Sequence, residues 1–129
     1  MKTLQFFLLI CLAAALFSAC KKDNDSGNAA MQGTWQGKWG SGNQAPSYFL
    51  KFKMESNGNM QRLDEQNKVI ANGTWTLNGI EFECIYTHVS DGQVHRIGGL
   101  YTDFDNTIIG RWGYSPSKAN GGEIELVKQ

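Results

Sequence analysis

Three shortages narrow what this chain can be. Cysteine is scarce, at positions 11, 20 and 84 only. Neither sign of charge is in excess, since 12 Lys and Arg stand against 12 Asp and Glu. There is no basic block to neutralise a row of phosphates, so nucleic acid is not an expected partner. Long apolar stretches are also missing. The run "FFLLICLAAALF" from Phe6 to Phe17 has 12 uncharged residues after Lys2, and a helix of that length rises only about 18 Å against a bilayer core of roughly 30 Å. It suits the apolar segment of a signal peptide, not a membrane span. Sequence motifs of catalysis are lacking too. There is no Gly-x-Ser-x-Gly, no phosphate loop and no Cys-x-x-Cys pair, so no enzyme activity and no cofactor are expected.

The end of the apolar run is distinctive. Ser18 and Ala19 stand directly before Cys20, and the segment Leu16-Phe17-Ser18-Ala19-Cys20 resembles the lipobox of bacterial lipoproteins. The resemblance implies cleavage before Cys20, a diacylglyceryl group on its thiol and acylation of the new amine. The simpler alternative is a secretory signal cut after Ala19 or later. Each buried methylene contributes about 0.8 kcal/mol, so two or three acyl chains would hold the protein lastingly to a membrane. The next stretch, "KKDNDSGNAA" from Lys21 to Ala30, is too polar to fold and reads as a flexible spacer. Its Lys22 and Asp23 are similar to the export signal of lipoproteins displayed on the outside of some diderm bacteria. The expected organisation is a signal peptide over 1–19, a lipidated cysteine and linker over 20–30, and one folded domain over 31–129, anchored at the outer membrane.

Cleavage before Cys20 leaves 129 − 19 = 110 residues and removes Lys2, giving 11 Lys and Arg against 12 Asp and Glu, a balance of −1. Only Cys84 would then keep a free thiol, in a strand pattern between apolar neighbours, where a small buried hydrophobe is expected. With 15 glycines, two prolines and many aromatic residues, the remainder reads as an aromatic-cored β domain. Period-two alternation predicts eight strands near 31–39, 47–56, 59–65, 69–77, 80–89, 93–102, 107–114 and 122–128.

Three dipeptides suggest tight hairpins: Asn57-Gly58, Asn78-Gly79 and Asp91-Gly92. Read as two-residue turns, they set registers. Trp75 faces Phe82, with Leu77 opposite Ile80, Thr76 opposite Glu81 and Thr74 opposite Glu83. Tyr86 then faces Ile97, Phe82 faces Tyr101, and His88 lies opposite His95. The first turn places Phe52 opposite Leu63 on the inside, Lys51 opposite Asp64 outside, and Lys53 opposite Arg62, a like-charge pair. Ile108, Trp112, Ile124 and Leu126 extend the inward set.

Eight antiparallel strands can remove their edges by closing, which predicts an all-β, up-and-down antiparallel barrel. "QGTWQGKW" at Gln32 to Trp39 and "IIGRWGYSPSKANGGEIELVKQ" at Ile108 to Gln129 look like the ends of small bacterial lipocalin-like domains, and the Gly-Thr-Trp start is also similar to avidin-type barrels. The lipocalin resemblance implies that Trp35 plugs the base of the barrel beneath a late-strand arginine, Arg111, although the alternation that puts Trp112 inside turns Arg111 outward.

Function is read from what such a barrel would hold. Its aromatics are bulky enough to fill it, or to leave a shallow cup for a small apolar or ring-shaped ligand. The ligand-contacting candidates are Tyr86, His88, His95, Ile97 and Tyr101. Two histidines fall short of the three or four ligands a metal site usually has, so no metal is expected, and "DFDN" at Asp103 to Asn106 reads as a turn. The alternative is an interaction protein or inhibitor acting through its loops or outer wall, where Ile85, Leu100 and Ile109 are expected to face outward on adjacent strands and to support partner binding or self-association.

Overall fold

The computed structural model describes residues 29–129; the expected signal peptide, Cys20 and most of the linker lie outside them. Eight strands run in order: β1 (Gly33–Trp39), β2 (Tyr48–Met54), β3 (Asn59–Leu63), β4 (Val69–Asn78), β5 (Glu81–His88), β6 (Val94–Thr102), β7 (Thr107–Tyr114) and β8 (Gly122–Lys128). Each pairs antiparallel with the next, and β1 also pairs with β8, so the sheet closes into an up-and-down barrel. Residues 29–31 form a helical turn, so the first strand, expected from Met31, begins at Gly33. No helix among the described residues is long and apolar enough to cross a membrane.

Closure brings β1 and β8 close together at Gly37. A Cβ there would stand 1.9 Å from the Glu125 carbonyl oxygen, so only glycine permits this crossing. Alternation then fills the inside. Trp35, Phe52, Phe82, Ile97, Ile108 and Leu126 are fully buried, while Thr74, Thr76, Glu81 and Glu83 face outward.

The two barrel ends differ. At the base, the helical turn packs Met31 under the strands, and the Trp35 indole N–H donates to the Met31 carbonyl at 2.8 Å. Trp35 meets Tyr101 edge to face at 6.0 Å. The cation beside Trp35 is not Arg111 but Lys128, its direct partner on β8, whose ammonium donates to the Ala30 carbonyl at 2.8 Å. Arg111 points outward, bonds the Ala119 carbonyl and pairs with Glu123 at 3.8 Å. The opposite end is the mouth, bordered by the longer connections 40–47, 64–68, 89–93 and 115–121.

All three predicted hairpin registers are corrected. After β4, Asn78 remains in the strand opposite Glu81, with Gly79 (φ 63°) and Ile80 forming the turn; Leu77 therefore pairs with Phe82 and Trp75 with Cys84. After β5, the His88 amide bonds the Gln93 carbonyl at 2.9 Å, so the loop has four residues, and Tyr86 pairs with His95, Cys84 with Ile97 and Phe82 with Gly99. Both corrections shift the register by two residues, and a shift of two keeps every side chain on its face.

The loop between β2 and β3 behaves differently. The Glu55 amide bonds the Asn59 carbonyl at 2.9 Å and the Gly58 amide bonds the Glu55 carbonyl at 3.1 Å, leaving three loop residues with Gly58 at φ 91°. That is a type I turn completed by a left-handed residue. It shifts the register by one and reverses the faces. Phe52 pairs with Arg62 and Lys53 with Gln61, so the like-charge pair never forms. Next comes a register irregularity between Arg62 and Leu63, and Leu63 lies with Phe49 and Ile70 along a groove beside the 64–68 loop instead of opposite Phe52.

Candidate functional site

The mouth gathers aromatic side chains from five strands. Trp39 on β1 stacks with Tyr48 on β2 at 4.7 Å and meets Trp112 on β7 edge to face at 5.3 Å. The Trp112 indole N–H donates to the Gly40 carbonyl at 2.8 Å, which ties the 40–47 loop to the barrel wall. Tyr86 and His88 on β5 and His95 on β6 complete the ring; His95 lies 5.1 Å from both Trp112 and Tyr114.

Although His88 and His95 are not cross-strand partners, they touch diagonally. Nε2 of His88 is 3.1 Å from Nδ1 of His95, and Nε2 of His95 is 3.1 Å from the Gln93 side-chain oxygen. One tautomer pattern satisfies all four atoms. The Gln93 oxygen accepts from His95 Nε2–H, which leaves His95 Nδ1 to accept from His88 Nε2–H. His95 is then neutral. Burial, and then the neighbouring His88 and Arg62, push His95 down to about 4, against a smaller opposing pull from Asp91. Burial and Arg62 lower His88 as well, again opposed by Asp91.

Arg62 enters this group through the one-residue register change after β2. Its Cζ stands 5.9 Å from the Tyr86 ring centroid. Its Nε is buried and has no hydrogen-bond partner among the described residues, and it takes part in neither of the ion pairs found there. Arg62, Tyr86 and His95 line a cavity with Trp39, Leu50, Trp112 and Ile124. The cavity is small: the centre of a water molecule can range over about 30 Å³, room for about two waters.

Of the residues expected to meet a ligand, Tyr86, His88 and His95 come together at this mouth. Ile97 is fully buried one layer deeper. Tyr101 lies at the base against Trp35, its hydroxyl 3.3 Å from the Asn106 side-chain oxygen. Of the cavity lining, Trp39, Trp112 and Ile124 were expected to point inward but not to meet a ligand, and Leu50 and Arg62 were not expected there at all; the signal for Arg62 was the unfavourable Lys53–Arg62 pair itself. Among the described residues no group of three His, Cys, Asp or Glu is placed to hold a metal, and Asp103 to Asn106 form a turn with Asn106 at φ 53°. Cys84 is buried and free, with burial pushing its thiol up, away from the reactive thiolate.

The chain matches no family model, no curated protein and no solved structure.

The outer wall presents a smaller apolar feature than expected. Leu100 and Ile109 are direct cross-strand neighbours, 55% and 63% exposed. Ile85 does not join them, because Leu100 pairs with Glu81 on β5 while Ile85 pairs with Arg96.

Proposed function

We propose that this chain is a lipocalin-like envelope barrel, tethered to the outer membrane through acyl groups on Cys20, that binds a small ring-bearing organic ligand at its mouth. The carrying observation is the cup itself. Trp39, Tyr86, His95 and Trp112 surround a cavity at the end away from the Met31 and Trp35 plug. Apolar walls with a few convergent polar atoms are what small-molecule sites offer. Because the cavity takes only about two waters' volume, a ligand would insert a compact group and lay its ring against the half-buried Trp39 at the rim. The proposal involves binding without chemistry.

The kinship rests on the Gly33-Thr34-Trp35 opening and the up-and-down connectivity; the tether rests on the Leu16 to Cys20 segment. Tryptophan fluorescence of the soluble domain titrated with phenylacetamide, a neutral ring compound, tests the cup, with saturable quenching expected and lost in Trp39→Ala. Linear, unsaturable quenching would sink it. For the tether, Cys20→Ser should release the protein from membranes without altering its melting temperature, and intact mass of the native protein reads acylation directly.

A second reading is favoured by the exposed Leu100 and Ile109 pair, beside an open groove lined by Gly98, Gly99 and Gly110. An interaction protein using this wall would self-associate or bind a partner there. Leu100→Lys with Ile109→Lys would abolish that association and leave phenylacetamide binding unchanged; sedimentation of both proteins separates the readings.

A further inference from the structure

We infer that the ligand taken up at the mouth carries a carboxylate, received by the guanidinium of Arg62. The inference rests on the mouth being the ligand site and adds the chemical class. Its starting point is the buried Nε of Arg62, which has no partner among the described residues. One N–H of this half-buried guanidinium is held away from water without an acceptor, which is costly, and proteins rarely keep such a donor without a use. Acidic side chains are near at hand. Asp64 and Glu65 border the groove along the other side of Arg62, yet neither forms an ion pair with it. One oxygen of the Asp64 carboxylate, Oδ1, accepts the backbone amides of both Gln66 and Lys68.

The neighbours restrict the charge of the acceptor. His88 and His95 use their Nε2–H groups on each other and on Gln93, so neither offers a free N–H to an anion in this arrangement. Both rings are held neutral near pH 7 by burial and by the Arg62 charge. Arg62 is therefore the one cationic side chain lining the cavity, whose other walls are Leu50, Trp112, Ile124 and aromatic rings. One guanidinium balances one negative charge, which favours a monoanion over a phosphate dianion. Its planar fork matches a carboxylate, with two parallel N–H donors to two oxygens. The space fits as well, since a carboxylate occupies about the room of the two waters the cavity can take. The ring or chain bearing it would then rest at the rim on Trp39.

The test compares phenylacetate with phenylacetamide, which share a ring and differ in charge, by tryptophan fluorescence on the parent, Arg62→Met and Arg62→Lys. The parent is expected to bind the acid at least tenfold more tightly than the amide. Arg62→Met should bind the two alike, and Arg62→Lys should keep part of the preference. If Arg62→Met fails to fold, the parent decides alone: phenylacetate should shift the Arg62 Nε–H resonance in a nitrogen-15 spectrum and phenylacetamide should not. A parent that binds acid and amide equally, or an Arg62→Met protein that keeps the preference, overturns the carboxylate inference and leaves the cup standing. Saturable binding of neither compound overturns both.

Discussion

Lowering the pH from 7 to 5 protonates an ordinary imidazole, and the mouth of this barrel resists it. His95 is 8% exposed, its Nε2–H is committed to Gln93, and its Nδ1 accepts from His88. Burial first, and then the neighbouring His88 and Arg62, lower the pKa of His95 in the folded barrel from 6.5 to about 4. As pH falls below 6.5 the unfolded chain takes up a proton that the native barrel refuses, so stability declines with acid through this window and this contribution stops changing below 4. His88 is shifted the same way and adds to the loss. For one group shifted this far the loss between pH 7 and pH 5 is at most about 2 kcal/mol. Solvent at the open mouth reduces it to about 1 kcal/mol. Urea unfolding monitored by tryptophan fluorescence at both pH values, in the parent and in His95→Gln, isolates the effect. The parent should lose about 1 kcal/mol more than the variant, since other titrating groups are common to both. Parallel losses would refute the neutral, hydrogen-bonded histidine pair.

Packing sets two further outcomes. Trp75→Ala and Trp112→Ala should each cost about 3–5 kcal/mol, whereas Thr76→Ala, exposed on the outer face, should stay within about 0.5 kcal/mol; small equal losses in chemical denaturation would mean the faces are misassigned. Cys84, buried with its thiol pushed up, should react with a thiol reagent only as fast as the barrel opens, and rapid labelling of the native protein would contradict its burial.

How much of the fold is legible in the sequence depends on parity. Strand number, order and the inward set Trp35, Phe52, Trp75, Phe82, Tyr86, Ile108, Trp112, Ile124 and Leu126 come from alternation, and alternation survives any register error of two residues. The hairpins at Asn78-Gly79 and Asp91-Gly92 each differ by two residues from the two-residue turns their dipeptides suggest. The faces hold, and His88 still reaches His95 because diagonal neighbours lie within range of long side chains. The loop at Asn57-Gly58 differs by one, because the same dipeptide serves a three-residue loop in which only Gly58 takes the left-handed conformation. A single residue carries Arg62 from the solvent face to the mouth.

Residue-type preference cannot correct that error, since arginine is expected outside and leucine inside. The Lys53–Arg62 clash can, because like charges placed directly opposite destabilise a strand pair. Moving β3 by one residue replaces that clash with Lys53 opposite Gln61. The same move sends a guanidinium to the mouth, where its Nε finds no partner among the described residues. Local pairing energies can thus favour a register whose cost is displaced into the barrel, and such a cost is tolerable where an acceptor can arrive from solution. The residue least expected inside, Arg62, is for that reason the one on which the proposed preference for an anionic ligand rests.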